Sequence, residues 1–319
     1  MRVGRAAWAI VVFAACVRAE RSEPAVTAAH ASFAAPPEPI DVAPPPVAPS
    51  AEVTFGTWTG FGTPGCAYLA PKTRRGGVRP DGGVDVVFHF HAGQMSDRDL
   101  RASRLDAVIV SCGWGMGTTP YARAFADPNR FDRMLRAVTR KVGGSHVRKL
   151  ALVSWSAGYA SIAKILGVPR HYAKTDAVVL LDSLHAPYDR AKSADVRKLD
   201  VFVRFARDAA RGDKAMVITH SAIVPPGYAS STEATRALLT AIEVPIGPAP
   251  APSDAERTRG MRPLYHVDVG DLHVRGFRGA GPDDHFDHLH LVGEVLRNWV
   301  VVRWRTDRPL VYTEGGEQH

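Results

Sequence analysis

The chain has 319 residues, 45% of them hydrophobic, which is enough to bury one sizeable core with tails to spare. Its formal net charge of +8 comes from 40 basic and 32 acidic residues. The arginines are scattered along the chain rather than gathered in one run with interleaved aromatic residues, so we predict no nucleic-acid partner.

The first 20 residues have the pattern of a signal peptide. Arg2 and Arg5 precede an apolar run at residues 6–16, which is too short to span a bilayer. Cys16 follows small residues, as in a lipoprotein processing site, so it is a candidate for lipidation and membrane anchoring. The alternative is simple cleavage after a small residue. We therefore expect an exported protein, either a periplasmic or outer-membrane lipoprotein or a secreted chain.

The sequence divides into a leader, a linker, one folded domain and a tail. Residues 21–52 are rich in Ala and Pro and contain almost no large apolar residue, so they are expected to form a disordered, extended linker. The folded domain is predicted over residues 53–303, and residues 304–319 form a C-terminal tail.

The cysteine count predicts one disulfide. Once Cys16 is removed or lipidated, Cys66 and Cys112 are the two remaining thiols. An even pair in an exported domain favours a bond between them, and two unrelated buried thiols are the alternative.

Strand and helix patterns alternate along the folded domain. Apolar runs predict strands at residues 84–90, 107–111, 149–154, 177–181, 215–220 and 264–269. Amphipathic runs predict helices at residues 128–142, 157–166, 189–211 and 232–242, with a final helix beginning at His285. This alternation predicts an α/β fold with a doubly wound, mostly parallel sheet and helices on both faces. Ligand chemistry then belongs at the carboxyl ends of the strands.

One of these strands ends abruptly on a serine between small residues. Trp155 is followed by Ser156, Ala157 and Gly158, and a helical pattern begins at once. A strand, a tight turn and a helix are the setting of a nucleophile elbow, where crowding admits only small neighbours of an exposed serine. Ser154 stands where this pattern prefers glycine. The motif resembles that of the α/β-hydrolase superfamily, and an ordinary strand-to-helix turn is the alternative.

The resemblance covers residues 84–299 and implies a Ser-acid-His triad in that chain order, with Ser156 as nucleophile. The base is expected just before or at the start of the last helix, where His285 lies and where His288 is the alternative. Residues 215–232 contain no Asp or Glu, so the commonest position for the acid is empty. Asp182, at the end of the preceding strand, is therefore the expected acid.

The resemblance also implies an oxyanion hole and a substrate pocket. The amides of Ala157 and Ala92 are the expected donors, because backbone N–H groups must point at the oxygen that becomes negative. Ala92 belongs to a turn that is similar to the His-Gly turn of the superfamily. The residues expected to line the pocket are His91, Gly93, Trp114, Met116, Trp155, His220 and Tyr228.

These residues predict an exported serine hydrolase that cleaves a small-molecule or polymer ester, or as the weaker option an amide, through an acyl-enzyme. One alternative is a non-catalytic cell-envelope binding protein on the same fold. The other is a metal-dependent hydrolase that uses the His/Asp cluster at residues 285–290. Because that cluster lacks the spacing of common zinc motifs, we predict neither a metal nor a cofactor.

Overall fold

The computed structural model describes residues 53–73, 76–91 and 93–305. The predicted signal peptide, the linker and most of the predicted tail lie outside these residues. Within them, nine strands form one sheet. The strands are β1 (Thr59–Gly60), β2 (Cys66–Leu69), β3 (Gly83–Phe90), β4 (Val108–Cys112), β5 (His146–Trp155), β6 (Ala177–Leu181), β7 (Ala215–His220), β8 (Arg262–Val269) and β9 (Leu272–Arg278).

The helices that connect and cover these strands are short. They are α1 (Asp97–Ala102), α2 (Thr118–Ala124), α3 (Arg130–Lys141), α4 (Tyr159–Leu166), α5 (Pro169–Lys174), α6 (Asp200–Ala210), α7 (Ser231–Ala241), α8 (Asp254–Thr258), α9 (Pro282–His290), α10 (Val292–Val295) and α11 (Val302–Arg305). Turns of 3₁₀ helix occupy Ser156–Gly158 and Val196–Leu199, and Leu296–Val301 is π-helical. Across the described part of the chain, none of the helices has the length and apolar character that a bilayer span requires.

The strand order in the sheet is β1-β2-β4-β3-β5-β6-β7-β9-β8. In this spatial order, every pair of neighbours between β4 and β9 is parallel. The strands β1 and β2 on one side and β8 on the other are added by antiparallel pairing. Parallel neighbours require crossover connections, and the helices supply them. The predicted mostly parallel sheet is confirmed.

The core lies on both faces of the sheet. Successive side chains of β3 point to opposite faces, and every residue of this strand is buried. Phe88 packs with Phe131 of α3 on one face, whereas Val87 belongs to the cluster of Leu289 and Val292 on the other. Helices therefore cover both faces, as the near-continuous apolar strands predict.

The fold contains elements that the sequence patterns did not predict, among them the short strands β1 and β2 and the short helices α1, α2, α5 and α8. Two further differences have a physical reason. The strand β9 was not predicted, because its polar residues His273 and Arg275 alternate with buried ones and interrupt the apolar run. The helix expected at residues 189–211 begins only at Asp200. A 3₁₀ turn precedes it, and there the Asp195 side chain accepts a hydrogen bond from the Arg197 amide and stops the helical pattern from extending backwards.

The predicted disulfide is confirmed. Cys66 and Cys112 are direct partners in the antiparallel register of β2 and β4, and their sulfur atoms are bonded. The bond joins the antiparallel strand β2 to the parallel body of the sheet at the end of β4, near the carboxyl edge where the candidate site lies.

Candidate active site

Ser156 sits on a strained turn directly after β5. Its φ angle is +51°, in the left-handed region that a non-glycine residue seldom adopts. The chain then turns straight into α4, and Gly158 makes this possible, because a Cβ atom there would lie 2.5 Å from the Phe90 carbonyl oxygen. The structure thus forms the strand, tight turn and helix of a nucleophile elbow.

Two buried serine hydroxyls hold the backbone of this turn through hydrogen bonds. The hydroxyls of Ser154 and Ser183 are hydrogen-bonded at 2.7 Å, and the Ser183 hydroxyl donates to the carbonyl oxygen of Ser156 at 2.6 Å. Ser154 and Ser183 are both fully buried. The serine that replaces the usual glycine at position 154 therefore has a structural role, since it anchors the side chain that holds the Ser156 backbone.

Asp182 follows β6, and its carboxylate contacts His285 across 103 positions of sequence. The His285 Nδ1 donates to Asp182 Oδ2 at 2.7 Å. Asp182 is 2% exposed and has a φ angle of +44°, so the backbone itself turns sharply to present the carboxylate. This contact leaves the Nε2 atom of His285 available for chemistry at the carboxyl edge of the sheet.

Ser221, at the end of β7, also binds the Asp182 carboxylate. Its amide donates to Oδ1 at 3.1 Å and its hydroxyl to Oδ2 at 2.8 Å. Burial alone would raise the pKa of Asp182, but the hydrogen bonds from His285 and Ser221 and the charge of nearby imidazoles hold this pKa far below its usual range. The carboxylate is therefore ionised. No sequence motif marks Ser221, and only the pairing of β6 with β7 brings it there.

Trp155 contacts two imidazole rings. Its indole stacks on His285 with ring centroids 4.6 Å apart and on His91 with centroids 5.3 Å apart. The indole Nε1 also donates to the backbone carbonyl of His285 at 2.9 Å. The residue before the elbow serine thus fixes both the ring plane and the backbone of His285.

A cavity of about 450 Å³ opens beside the elbow. Ser156 and Ala157 contribute to its wall, and so do the expected pocket residues His91, Met116 and Tyr228. The wall also includes residues that the sequence did not indicate, namely Gly117, Thr118, Tyr159, His185, Ala186 and Pro187. They come from two loops and the starts of two helices, and only the tertiary fold brings them together.

The other residues expected in the pocket lie elsewhere. Trp114 packs its ring against Phe90, Tyr121 and Phe125 rather than facing the cavity. The carbonyl of Gly93 accepts a hydrogen bond from the Ser111 hydroxyl, and Gly93 does not line the cavity.

Trp155 and His220 also lie outside the wall of this cavity. Trp155 stacks on the His285 ring and does not line the cavity. His220 is fully buried, where Nδ1 donates to the Ser221 carbonyl at 3.0 Å and Nε2 accepts from the Tyr265 hydroxyl at 2.6 Å. Ala92, an expected oxyanion donor, lies outside the described residues.

The His/Asp cluster at the start of the last helices divides among separate partners. His285 binds Asp182, His288 binds the Thr219 hydroxyl at 2.8 Å, and His290 binds Asp99 at 2.7 Å. His288 is fully buried, which lowers its pKa to about 4, and it does not line the cavity. It is thus poorly placed as the alternative base. The described residues contain no group of three or more ligating side chains that could hold a metal ion.

The candidate residues follow the strands in a fixed order. Ser156 comes after β5, Asp182 after β6, and His285 after β9, which is the last parallel strand in the chain. Together with the strand order of the sheet, this decides the architecture. The fold is α/β-hydrolase-like.

Comparison with known proteins gives matches among solved structures alone. The sequence matches no protein-family model and no curated protein sequence. The Bacillus cereus BES protein has a TM-score of 0.40 and 13% identity, covering 83% of this chain and 98% of that one. The LpqC poly(3-hydroxybutyrate) depolymerase of Bordetella parapertussis has a TM-score of 0.41 and 14% identity, covering 72% and 84%. Carboxyl esterase 2 of the mycorrhizal fungus Tuber melanosporum has a TM-score of 0.42 and 10% identity, covering 80% and 89%. Likenesses of this size assign no activity to this chain, and its fold assignment depends on its own strand order.

Proposed function

We propose that this protein is a serine hydrolase that cleaves carboxylic esters, with Ser156 as nucleophile, His285 as general base and Asp182 as the orienting acid. The observation that carries the proposal is the hydrogen bond between His285 Nδ1 and the buried Asp182 carboxylate, at the same sheet edge as the strained Ser156 turn. A serine hydroxyl needs such an imidazole to become nucleophilic at neutral pH, and the imidazole needs an acid to fix its tautomer.

The proposed reaction has two steps. Ser156 Oγ attacks the ester carbonyl carbon while its proton passes to His285 Nε2, and the carbonyl oxygen becomes an oxyanion that the Ala157 amide binds. The intermediate then expels the alcohol, which takes the proton from His285, and leaves an acyl group on Ser156. A water molecule, deprotonated by His285, attacks this acyl-enzyme in the same way, and the acid is released as Ser156 regains its proton.

In the proposed mechanism the hydrogen bond between Ser156 and His285 forms when substrate binds. Among the described residues, no hydrogen bond joins the Ser156 hydroxyl to the His285 ring. Such contacts are commonly long in free enzymes and tighten in the complex with substrate. The Asp182–His285 bond, which sets the tautomer of the imidazole, is already made.

Labelling by a fluorophosphonate probe, combined with ester hydrolysis, tests the proposal. Wild-type protein is expected to react with the probe, and Ser156→Ala to lose labelling and roughly 10⁴-fold or more of its turnover. Ser161→Ala is the matched control, because Ser161 lies in the following helix and its hydroxyl donates to the Tyr121 carbonyl, away from the cavity. Hydrolysis by Ser156→Ala at near wild-type rate would contradict the assignment. Loss of wild-type activity with a chelator would indicate the metal-dependent alternative.

A further inference from the structure

The cavity beside Ser156 carries no formally charged side chain on its described wall. The lining residues are His91, Met116, Gly117, Thr118, Ser156, Ala157, Tyr159, His185, Ala186, Pro187 and Tyr228. None of these is Asp, Glu, Lys or Arg, although such residues make up 23% of the whole sequence. The wall thus differs from the rest of this arginine-rich chain.

The two histidines of the wall are neutral near pH 7. Burial lowers the pKa of His91 to about 4, and repulsion from His285 adds to this effect. Burial also lowers the pKa of His185, and this outweighs the opposite influence of the Asp182 carboxylate. Neither ring therefore supplies a cation for an anionic group in the cavity.

One side of the cavity is aromatic. His185 contacts Tyr159 and Tyr228 edge to face, with ring centroids 5.7 Å and 5.4 Å apart. Burial raises the pKa of both tyrosines, to about 12 for Tyr159, so their hydroxyls stay protonated and uncharged. Met116, which is 86% exposed, adds a flexible apolar side chain to the wall. The surface presented to a ligand is apolar with a few neutral polar groups.

The position of His285 indicates which half of an ester enters the cavity. In the proposed mechanism His285 gives its proton to the departing alcohol, so the alcohol must lie beside this ring. His285 is not part of the cavity wall, whereas Ser156 and Ala157 are. The His285 side chain is 23% exposed, which leaves the alcohol side open to solvent. The acyl group is therefore the half that the cavity receives.

We propose that this cavity selects esters of uncharged, apolar carboxylic acids and rejects acyl groups that carry a second carboxylate. This inference rests on the proposed function and specifies its substrate class. A buried carboxylate would lose its hydration and find no cation to replace it, which is costly unless the charge is paired. The cavity volume of about 450 Å³ lies within the range of small-molecule sites and accommodates an aromatic or medium-length acyl group.

Two 4-nitrophenyl esters of nearly equal shape test the selection. The 4-isopropylbenzoate is neutral, and the terephthalate monoester replaces the isopropyl group by a carboxylate that is too distant to attack its own ester. We expect wild-type kcat/KM to be at least about 100-fold higher for the neutral ester. A second pair of esters places the charge on the alcohol half instead. These are 4-acetoxybenzoate and its methyl ester, which share an acetyl group, and their kcat/KM values for loss of the acetyl group should agree within about tenfold.

A cation placed in the wall should relax the selection. Met116→Arg is expected to narrow the ratio between the two acyl esters to about tenfold or less, because the guanidinium pairs with the carboxylate. Val269→Arg is the matched control: it adds the same charge at an exposed apolar site at the carboxyl end of β8, beside Leu272 at the amino end of β9 and so on the opposite edge of the sheet. It should keep the wild-type ratio.

Three results would overturn the inference while leaving the proposed function intact. They are a wild-type ratio near one, a ratio that Met116→Arg does not change, and a charge penalty larger on the alcohol side than on the acyl side. Failure of the proposed function has a different signature, in which the wild type neither hydrolyses any of these esters nor reacts with the fluorophosphonate probe.

Discussion

Replacing the indole that stacks on His285 should slow the reaction without preventing substrate binding. In the proposed mechanism His285 becomes positively charged in each transition state, and the Trp155 ring lies face-on to it at 4.6 Å. A tryptophan face within about 6 Å of a cation stabilises it by about 1–2 kcal/mol when the pair is partly desolvated. His91, which also stacks on the indole, does not compete, because burial lowers its pKa to about 4.

The magnitude follows from these contacts. Loss of about 1–2 kcal/mol of transition-state stabilisation corresponds to roughly a 5- to 30-fold decrease in rate. Trp155→Leu also removes the hydrogen bond from the indole to the His285 carbonyl, so the larger value is expected. Trp155→Phe keeps an aromatic face and should lose less than about fivefold.

The assay is kcat and KM for a neutral 4-nitrophenyl ester between pH 5 and 9, with circular dichroism to establish folding. In Trp155→Leu we expect a lower kcat and a nearly unchanged KM, because the imidazolium of the transition state has lost its stabilising face. Folded Trp155→Leu with a wild-type kcat would refute the reasoning. So would equal losses of kcat in the Leu and Phe variants, since the indole would then act by packing alone.

Three further results are expected. Asp182→Asn should lower kcat by up to roughly 10⁴-fold, since the imidazole loses its correct tautomer, and a variant that retains most activity would place the acid elsewhere. Thiol titration of denatured, unreduced protein should find neither Cys66 nor Cys112 free, and removing this bond across 46 residues should cost about 4 kcal/mol in the chain-entropy model, measured by urea unfolding. Burial lowers the pKa to about 3 for His89 and about 4 for His288, so at acid pH the unfolded chain binds protons that the folded chain excludes. As the pH decreases from 7.5 to 5, the free energy of unfolding should therefore fall by about 2 kcal/mol for each such histidine. Urea midpoints that do not change with pH would contradict this.

Local patterns in the sequence determined the parallel core and the place of the elbow. A strand buried on both faces needs a nearly continuous apolar run, and β3, β6 and β7 have such runs. The small residues on either side of Ser156 follow from crowding that the turn itself creates, as the close approach of Gly158 to the Phe90 carbonyl shows. The resemblance to the α/β-hydrolase superfamily implied His285, and the absence of Asp and Glu from residues 215–232 indicated Asp182. The structure brings these two side chains into contact.

Tertiary structure alone decided which side chains surround that contact. The pairing of β6 with β7 sets Ser221 against Asp182, and no spacing in the sequence reveals it. Trp155 and His220 stand next to strand ends, as pocket residues do, yet one supports His285 and the other is buried. The cavity wall is assembled from loops far apart in the chain, and β9 went unnoticed because half of its residues are polar and partly exposed. A sequence pattern records how a segment meets water and its own neighbours, whereas register and loop convergence depend on contacts between distant segments, and these determine what the site can bind.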